Sequence, residues 1–224
     1  MKENRERTRT ILMLLLLLGG IGFLMRDKPF TGRKQLSDDW RLLLVNHDNP
    51  IPKGYQTELC RFSDGVYVDE RICNDLQAMM DAAHDAGLSP VICSSYRTTE
   101  KQQALYEREV QQYLDKGYSR KKAKAEAAKW VAVPGTSEHQ TGLALDIVDL
   151  NYQILDKAQE QTPVQKWLME HSCQYGFILR YPNEKSDITG ICYEPWHYRY
   201  VGKDAALAIF TQQITLEEFL SDSK

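Results

Sequence analysis

The sequence predicts an α+β fold, a mostly antiparallel central sheet with helices packed on it. Three observations point there. The chain has 224 residues, 42% hydrophobic and 26% charged, the composition of one packed globular domain rather than a disordered chain. Helical periodicity dominates the earlier part, whereas short apolar and aromatic runs cluster later. No repeat or low-complexity tract interrupts that order outside residues 11–25. Charge narrows the function classes. The net charge is −3, and six of the 28 basic but only three of the 31 acidic groups lie in residues 1–28, so the rest is more acidic still. A mildly acidic body lacks the basic face that nucleic-acid binding requires, and five Cys are too few for a disulfide-knit scaffold.

Each element has a local reason. Residues 11–25 (ILMLLLLLGGIGFLM) follow a basic head and are closed by Arg26, with no A-x-A-like cleavage site and no nearby Cys. That pattern predicts an uncleaved signal-anchor. At 1.5 Å per residue it spans about 22 Å, short of the roughly 30 Å hydrocarbon core, so snorkelling of Arg9 and Arg26, or local thinning of the bilayer, must cover the gap. The expected organisation is an anchor over 1–28, a polar linker over 29–41 and a folded domain over 42–224. The expected location is the cell membrane, single-pass, with the domain outside. Residues 42–45 (LLLV) predict a strand, and SDG at 63–65 between RF and VYV a tight turn. Residues 69–86 predict a helix with Ile72, Leu76, Met79 or Met80, and Ala83 on one stripe, stopped by Gly87. PVICS at 90–94 is a short strand. Residues 99–116 and 119–132 are helices, the second starting with the basic run Arg120, Lys121, Lys122 and Lys124, read as a solvated face. Residues 135–142 form a loop and 143–148 a strand. Thr162-Pro163 caps a helix running to Tyr175, which Gly176 ends. Residues 177–180 and 191–200 are strands, 204–212 is helical, and Thr215 with Glu218 forms a capping box for a last helix. Trp130 and Trp167 are read as core. Tyr193, Trp196, Tyr198 and Tyr200 are read as sheet packing, with cleft lining as the alternative.

Two of the five histidines keep unusual company. His139 sits in SEHQTGLALD (137–146) and His197 in EPWH (194–197). A catalytic zinc takes three N/O protein ligands and leaves a position open; His139, Asp146 and His197 supply such a set, and Glu194 is left free as a base. A carboxylate at Asp146 on an apolar strand is costly unless paired or metal-bound. Glu194 and His197 point to opposite faces of a flat strand, so a bulge or sharp twist must re-aim one of them. His47, His84 and His171 are read as surface or hydrogen-bonded residues.

SxHxxGxAxD (137–146) followed by ExxH (194–197) resembles the VanY-type D-alanyl-D-alanine carboxypeptidases, a zinc-peptidase family related to D-Ala-D-Ala dipeptidases and the amino-terminal domain of hedgehog proteins. SSYRTTEKQ (94–102), LLLVNHDNPIP (42–52), LRYP (179–182) and ITG (188–190) are similar to it as well. The resemblance covers about residues 42–202. It implies a hedgehog/D-Ala-D-Ala-peptidase-like fold, one Zn2+ per chain on His139, Asp146 and His197, and Glu194 as catalytic base. It implies substrate binding by Arg97, with Ser137 and Gln102 nearby. Arg97 offers a planar, always charged fork that suits a terminal carboxylate. The implied activity is removal of the terminal D-Ala from peptidoglycan stem peptides. The alternatives are an L,D-carboxypeptidase on tetrapeptide stems, a dipeptidase, and a non-catalytic zinc-containing binding module. For the odd cysteine count, Cys173–Cys192 is the first expected pair and Cys73–Cys93 the second; neither is expected to bind zinc, because no pair has CxxC spacing.

Overall fold

The structure, a computed structural model, describes residues 39–222. Trp40–Leu42 forms a single 3-10 turn capped by the Asp39 carboxylate. A hairpin follows, β1 (Leu59–Ser63) and β2 (Val66–Asp69), antiparallel around the predicted turn. Helix α1 (Cys73–Asp85) buries Leu76, Met79, Met80 and Ala83, so both candidate methionines face inward. Strand β3 (Pro90–Ser94) leads to α2 (Thr99–Asp115), whose first turn is capped by the Thr98 hydroxyl accepting from the Lys101 N–H. Helix α3 (Arg120–Ala127) is capped in the same way by Ser119. It packs on α2 through Tyr106, Val110, Ala123 and Ala127. Then come β4 (Ala144–Asp149), α4 (Pro163–His171), β5 (Phe177–Leu179), the short α5 (Ser186–Thr189), β6 (His197–Tyr200), α6 (Lys203–Gln212) and α7 (Leu216–Asp222).

The main sheet has four strands in the order β3-β4-β6-β5, and every pair is antiparallel. Period-2 alternation on its two central strands divides core from site. Leu145 and Ile147 of β4 and Tyr198 and Tyr200 of β6 face a core completed by Leu76 and Met79 of α1, Leu168 of α4, and Phe177. Each fully buried aliphatic side chain there contributes about 1.5–3 kcal/mol. Helix α4 is fastened to the sheet by Gln165, which donates to the Ile147 carbonyl and accepts from the Tyr198 hydroxyl. The alternate residues, Asp146 of β4 and His197 and Arg199 of β6, face the other way and are also buried. Asp146 and His197 are direct cross-strand partners.

Several expectations are corrected. The strand expected at 42–45 is a 3-10 turn followed by irregular chain, because the carbonyls of Arg41 and Leu43 accept from the buried Arg199 guanidinium instead of a ladder. The strand expected over 191–200 is confined to His197–Tyr200, and the helix expected over 119–132 stops at Ala127. Beyond His171 the helix expected to reach Tyr175 tightens into a 3-10 turn, Ser172–Tyr175, before Gly176. Cys60 pairs with Cys73, tying β1 to the start of α1, while Cys93, Cys173 and Cys192 are free thiols; neither expected pairing forms. Trp130 is not core but 40% exposed. The expected single-pass location in the cell membrane is overturned: among the described residues no helix is long and apolar enough to cross a membrane. Residues 11–25 and the expected anchor over 1–28 lie outside the described residues.

Candidate metal centre

Three elements bring the predicted ligands together. His139 sits on the 3-10 turn Glu138–Thr141, which Gly142 ends in a left-handed conformation (φ +75°). Asp146 lies in the middle of β4, and His197 opens β6. One donor atom from each lies within 4.8 Å of the others, and all three residues are buried. Each imidazole has its second nitrogen occupied. His139 Nδ1 is 2.9 Å from the Ser95 carbonyl oxygen, which accepts a hydrogen bond from the Nδ1–H and leaves Nε2 directed at Asp146 Oδ2, 3.3 Å away. His197 Nε2 faces Glu138 Oε2 at 3.4 Å, which leaves Nδ1 3.1 Å from Asp146 Oδ1. The two rings meet edge-on, 4.9 Å between centroids and 89° between planes. Two imidazole nitrogens and one carboxylate, with a partner behind each imidazole, fit zinc well.

Glu194 reaches the cluster by a turn rather than a bulge. The His197 N–H donates to the Glu194 carbonyl at 3.2 Å, so the chain reverses through Pro195 and Trp196. The Glu194 carboxylate thereby comes within 3.7 Å of His197 Nδ1, which a flat strand forbids. Arg97 lines the same cleft. Its backbone N–H donates to the His139 carbonyl. Its guanidinium donates to Asp146 Oδ2 at 2.7 Å and to the Ser94 hydroxyl at 2.9 Å, with Gln102 Oε1 at 3.4 Å. Gln102 is itself fixed by donating to the Ala132 carbonyl at 2.7 Å.

Burial and charge set the protonation pattern. Burial pushes the Glu194 carboxyl up to about 8; the nearby His197 opposes the shift and the Asp146 carboxylate adds to it. Burial also holds the His139 imidazole down to about 4, helped by the Arg97 charge. For His197, burial favours the neutral ring, but hydrogen bonds to Asp146 and Glu138 outweigh it and push the group up to about 9. Asp146 is likewise opposed by burial, yet His139, His197 and Arg97 hold it well below the ordinary carboxylate range.

All seven predicted site residues line one cleft of about 320 Å³, together with Trp130, Tyr181 and Trp196. His47, His84 and His171 line no part of it. Of the aromatic cluster, Tyr198 and Tyr200 pack in the core, whereas Trp196 lines the cleft. Three buried charged residues around the centre escaped the sequence reading: Glu138, Arg180 and Arg199. Their signal is a lone charge within an apolar run, FILR and HYRY, and beside His139. Such a charge must be paired, but the partner is not visible in the sequence.

Residues 65–203 match the family described as VanY: D-alanyl-D-alanine carboxypeptidase. A D-alanyl-D-alanine carboxypeptidase of Enterococcus faecalis (strain ATCC 700802 / V583) is 50% identical over 186 residues, 83% of this chain and 68% of that one. A solved structure of VanYB in complex with D-alanine-D-alanine superposes with a TM-score of 0.77 at 49% identity, covering 83% of this chain and all of that one. A variant of the vancomycin resistance D,D-pentapeptidase VanY in complex with Zn(II) gives 0.74 at 49% identity, covering 81% and 99%. With its fold, its buried two-histidine, one-aspartate cluster and these similarities, the chain belongs to the VanY family of D-alanyl-D-alanine carboxypeptidases.

Proposed function

We propose that this chain is a zinc D-alanyl-D-alanine carboxypeptidase that removes the terminal D-Ala from peptidoglycan stem peptides. Residues 42–224 form the peptidase domain, and one Zn2+ is held by His139, Asp146 and His197. The observation that carries the reading is the convergence of a buried N/N/O donor set and a free carboxylate, Glu194, on one cleft. Zinc in that position supplies Lewis acidity to the scissile carbonyl and lowers the pKa of a coordinated water from 15.7 to about 7. The chain's own residues do the rest. Glu194 accepts the proton of the attacking water and returns it to the leaving amine. Burial holds the metal-free carboxyl up to about 8, and the charge of a bound zinc would lower it, so that the metal-loaded site would present the ionised base. Arg97 binds the substrate's terminal carboxylate through the arm that faces Gln102, and buried Ser137 offers a hydroxyl on the same wall. Arg97 also donates to Asp146, so it holds that carboxylate while reading the substrate.

The test is mass spectrometry of the zinc-loaded chain with muramyl pentapeptide and, separately, tetrapeptide. Loss of one alanine from the pentapeptide is expected. Loss from the tetrapeptide alone would establish the L,D alternative, and no cleavage of either with zinc bound would leave a non-catalytic module. Glu194→Gln should lower kcat by about 10²–10⁴-fold, the usual contribution of a positioned base, with zinc retained. Turnover at wild-type rate in that variant would remove Glu194 from the base role.

A further inference from the structure

Behind the metal centre lies a charge network that the proposed reaction does not use. Glu138 is fully buried, and one of its oxygens carries both arginines: Oε1 accepts from Arg180 Nε at 2.7 Å and from Arg199 Nη1 at 2.8 Å. The other oxygen, Oε2, is left to His197 Nε2. Arg–carboxylate pairs are frequently bidentate, one guanidinium taking both oxygens. Two guanidiniums converging on one oxygen instead leave the second free for the imidazole. The network continues outward. Arg180 spends its two terminal nitrogens on Glu217 of α7, at 2.8 and 2.6 Å. Glu217 is in turn held by the Asn46 side-chain amide at 3.0 Å. Arg199 finishes on the Arg41 and Leu43 carbonyls. Two arginines and two glutamates balance, so Glu138 stays ionised although buried.

We propose that Glu217, on the last helix of the fold, is a positioning residue for the metal centre. It fixes Arg180, Arg180 with Arg199 fixes Glu138, and Glu138 holds the His197 ring with Nδ1 turned toward Asp146 and His139. The proposal rests on the zinc reading above and adds to it a remote determinant of metal retention. Metal-bound histidines depend on the partner of their second nitrogen, and loss of such a partner weakens metal binding by about 10–100-fold.

Competition with a chromogenic chelator tests this on the full chain. Glu217→Gln leaves Arg180 with one fewer anion and should weaken zinc binding by roughly tenfold, the low end of that range. Glu138→Gln should approach the high end where it folds. Lys185→Met is the control: it removes the other ion pair that holds α7, between Lys185 and Glu218 at 2.8 Å, without touching Glu138. It should keep wild-type zinc affinity. Wild-type affinity in Glu217→Gln would overturn the proposal, as would an equal loss in Lys185→Met, since that would reflect loosened docking of α7. If the unsubstituted chain binds no zinc, the metal reading fails with it. If the chain binds tightly and Glu217→Gln does too, only the positioning role fails.

Discussion

Without zinc, His197 holds a proton between two carboxylates, Asp146 at Nδ1 and Glu138 at Nε2. Its folded pKa of about 9 exceeds the unfolded value of about 6.5. The stability it contributes is therefore fully present below about 6.5 and is lost as pH rises through about 9. Zinc needs the Nδ1 lone pair, so uptake near pH 7 must expel that proton. We expect release of at least one proton per zinc, with apparent affinity rising with pH up to about 9. His139, held down to about 4, is already neutral and releases none. Titration calorimetry in buffers of different ionisation enthalpy counts the protons; zero release would rule out a charged His197. At this scale the sequence was informative about types and poor about partners. His139, Asp146, His197 and Glu194 were legible because each is a polar residue set in turn-rich or apolar company. Glu138 was not, because its role depends on Arg180 and Arg199, which lie 42 and 61 positions away in sequence.

Among the elements, the turn that carries His139 is the most constrained. Gly142 closes it with φ +75°, and its carbonyl accepts from the Asp69 N–H at the end of β2. A Cβ at Gly142 would lie 2.8 Å from that same backbone nitrogen. Gly87, after α1, has a similar φ of +78° but open space around it. Gly87→Ala thus meets only left-handed strain, about 1 kcal/mol, whereas Gly142→Ala must also separate β2 from the turn. We expect Gly142→Ala to cost about 1–3 kcal/mol more and to weaken zinc binding, because His139 moves with the turn. Urea unfolding of the two variants, with zinc titration, checks this; equal costs would mean that the contact with Asp69 relaxes freely. Capped and periodic elements were legible here: α1 from its apolar stripe, α4 from Thr162-Pro163, and α7 from its Thr215–Glu218 box, which forms in both directions at 2.7 and 3.2 Å. Residues 191–196 were not. A strand and a turn both tolerate Pro195 among aromatics, and the choice is made by the Glu194 N–H donating to the Tyr181 carbonyl across the cleft.

For the whole molecule, the question is how the hairpin outside the main sheet comes to support the site. The Tyr67 N–H donates to the Ser95 hydroxyl and its carbonyl accepts from the Tyr96 N–H. The Ser95 carbonyl is the partner of His139 Nδ1, so the hairpin braces the segment that orients a ligand. The Cys60–Cys73 disulfide locks that hairpin to α1 across a separation of 13 residues. This connection was illegible in the sequence, since an odd set of five cysteines allows many pairings and only the packing of β1 beside α1 selects one. A loop of that size removes enough unfolded-state entropy to stabilise the fold by about 3 kcal/mol. In a domain of this size that corresponds to a fall of about 6–12 °C in Tm when the bridge is lost. The total is set against a usual margin of about 5–15 kcal/mol, so Cys60→Ser/Cys73→Ser should fold at 25 °C and unfold earlier on heating. Calorimetric scans of the metal-free variant and parent measure the difference directly. An unchanged Tm would mean that β2, through the Asp69 and Tyr67 hydrogen bonds to Gly142, Ser95 and Tyr96, holds the hairpin in place without the bridge.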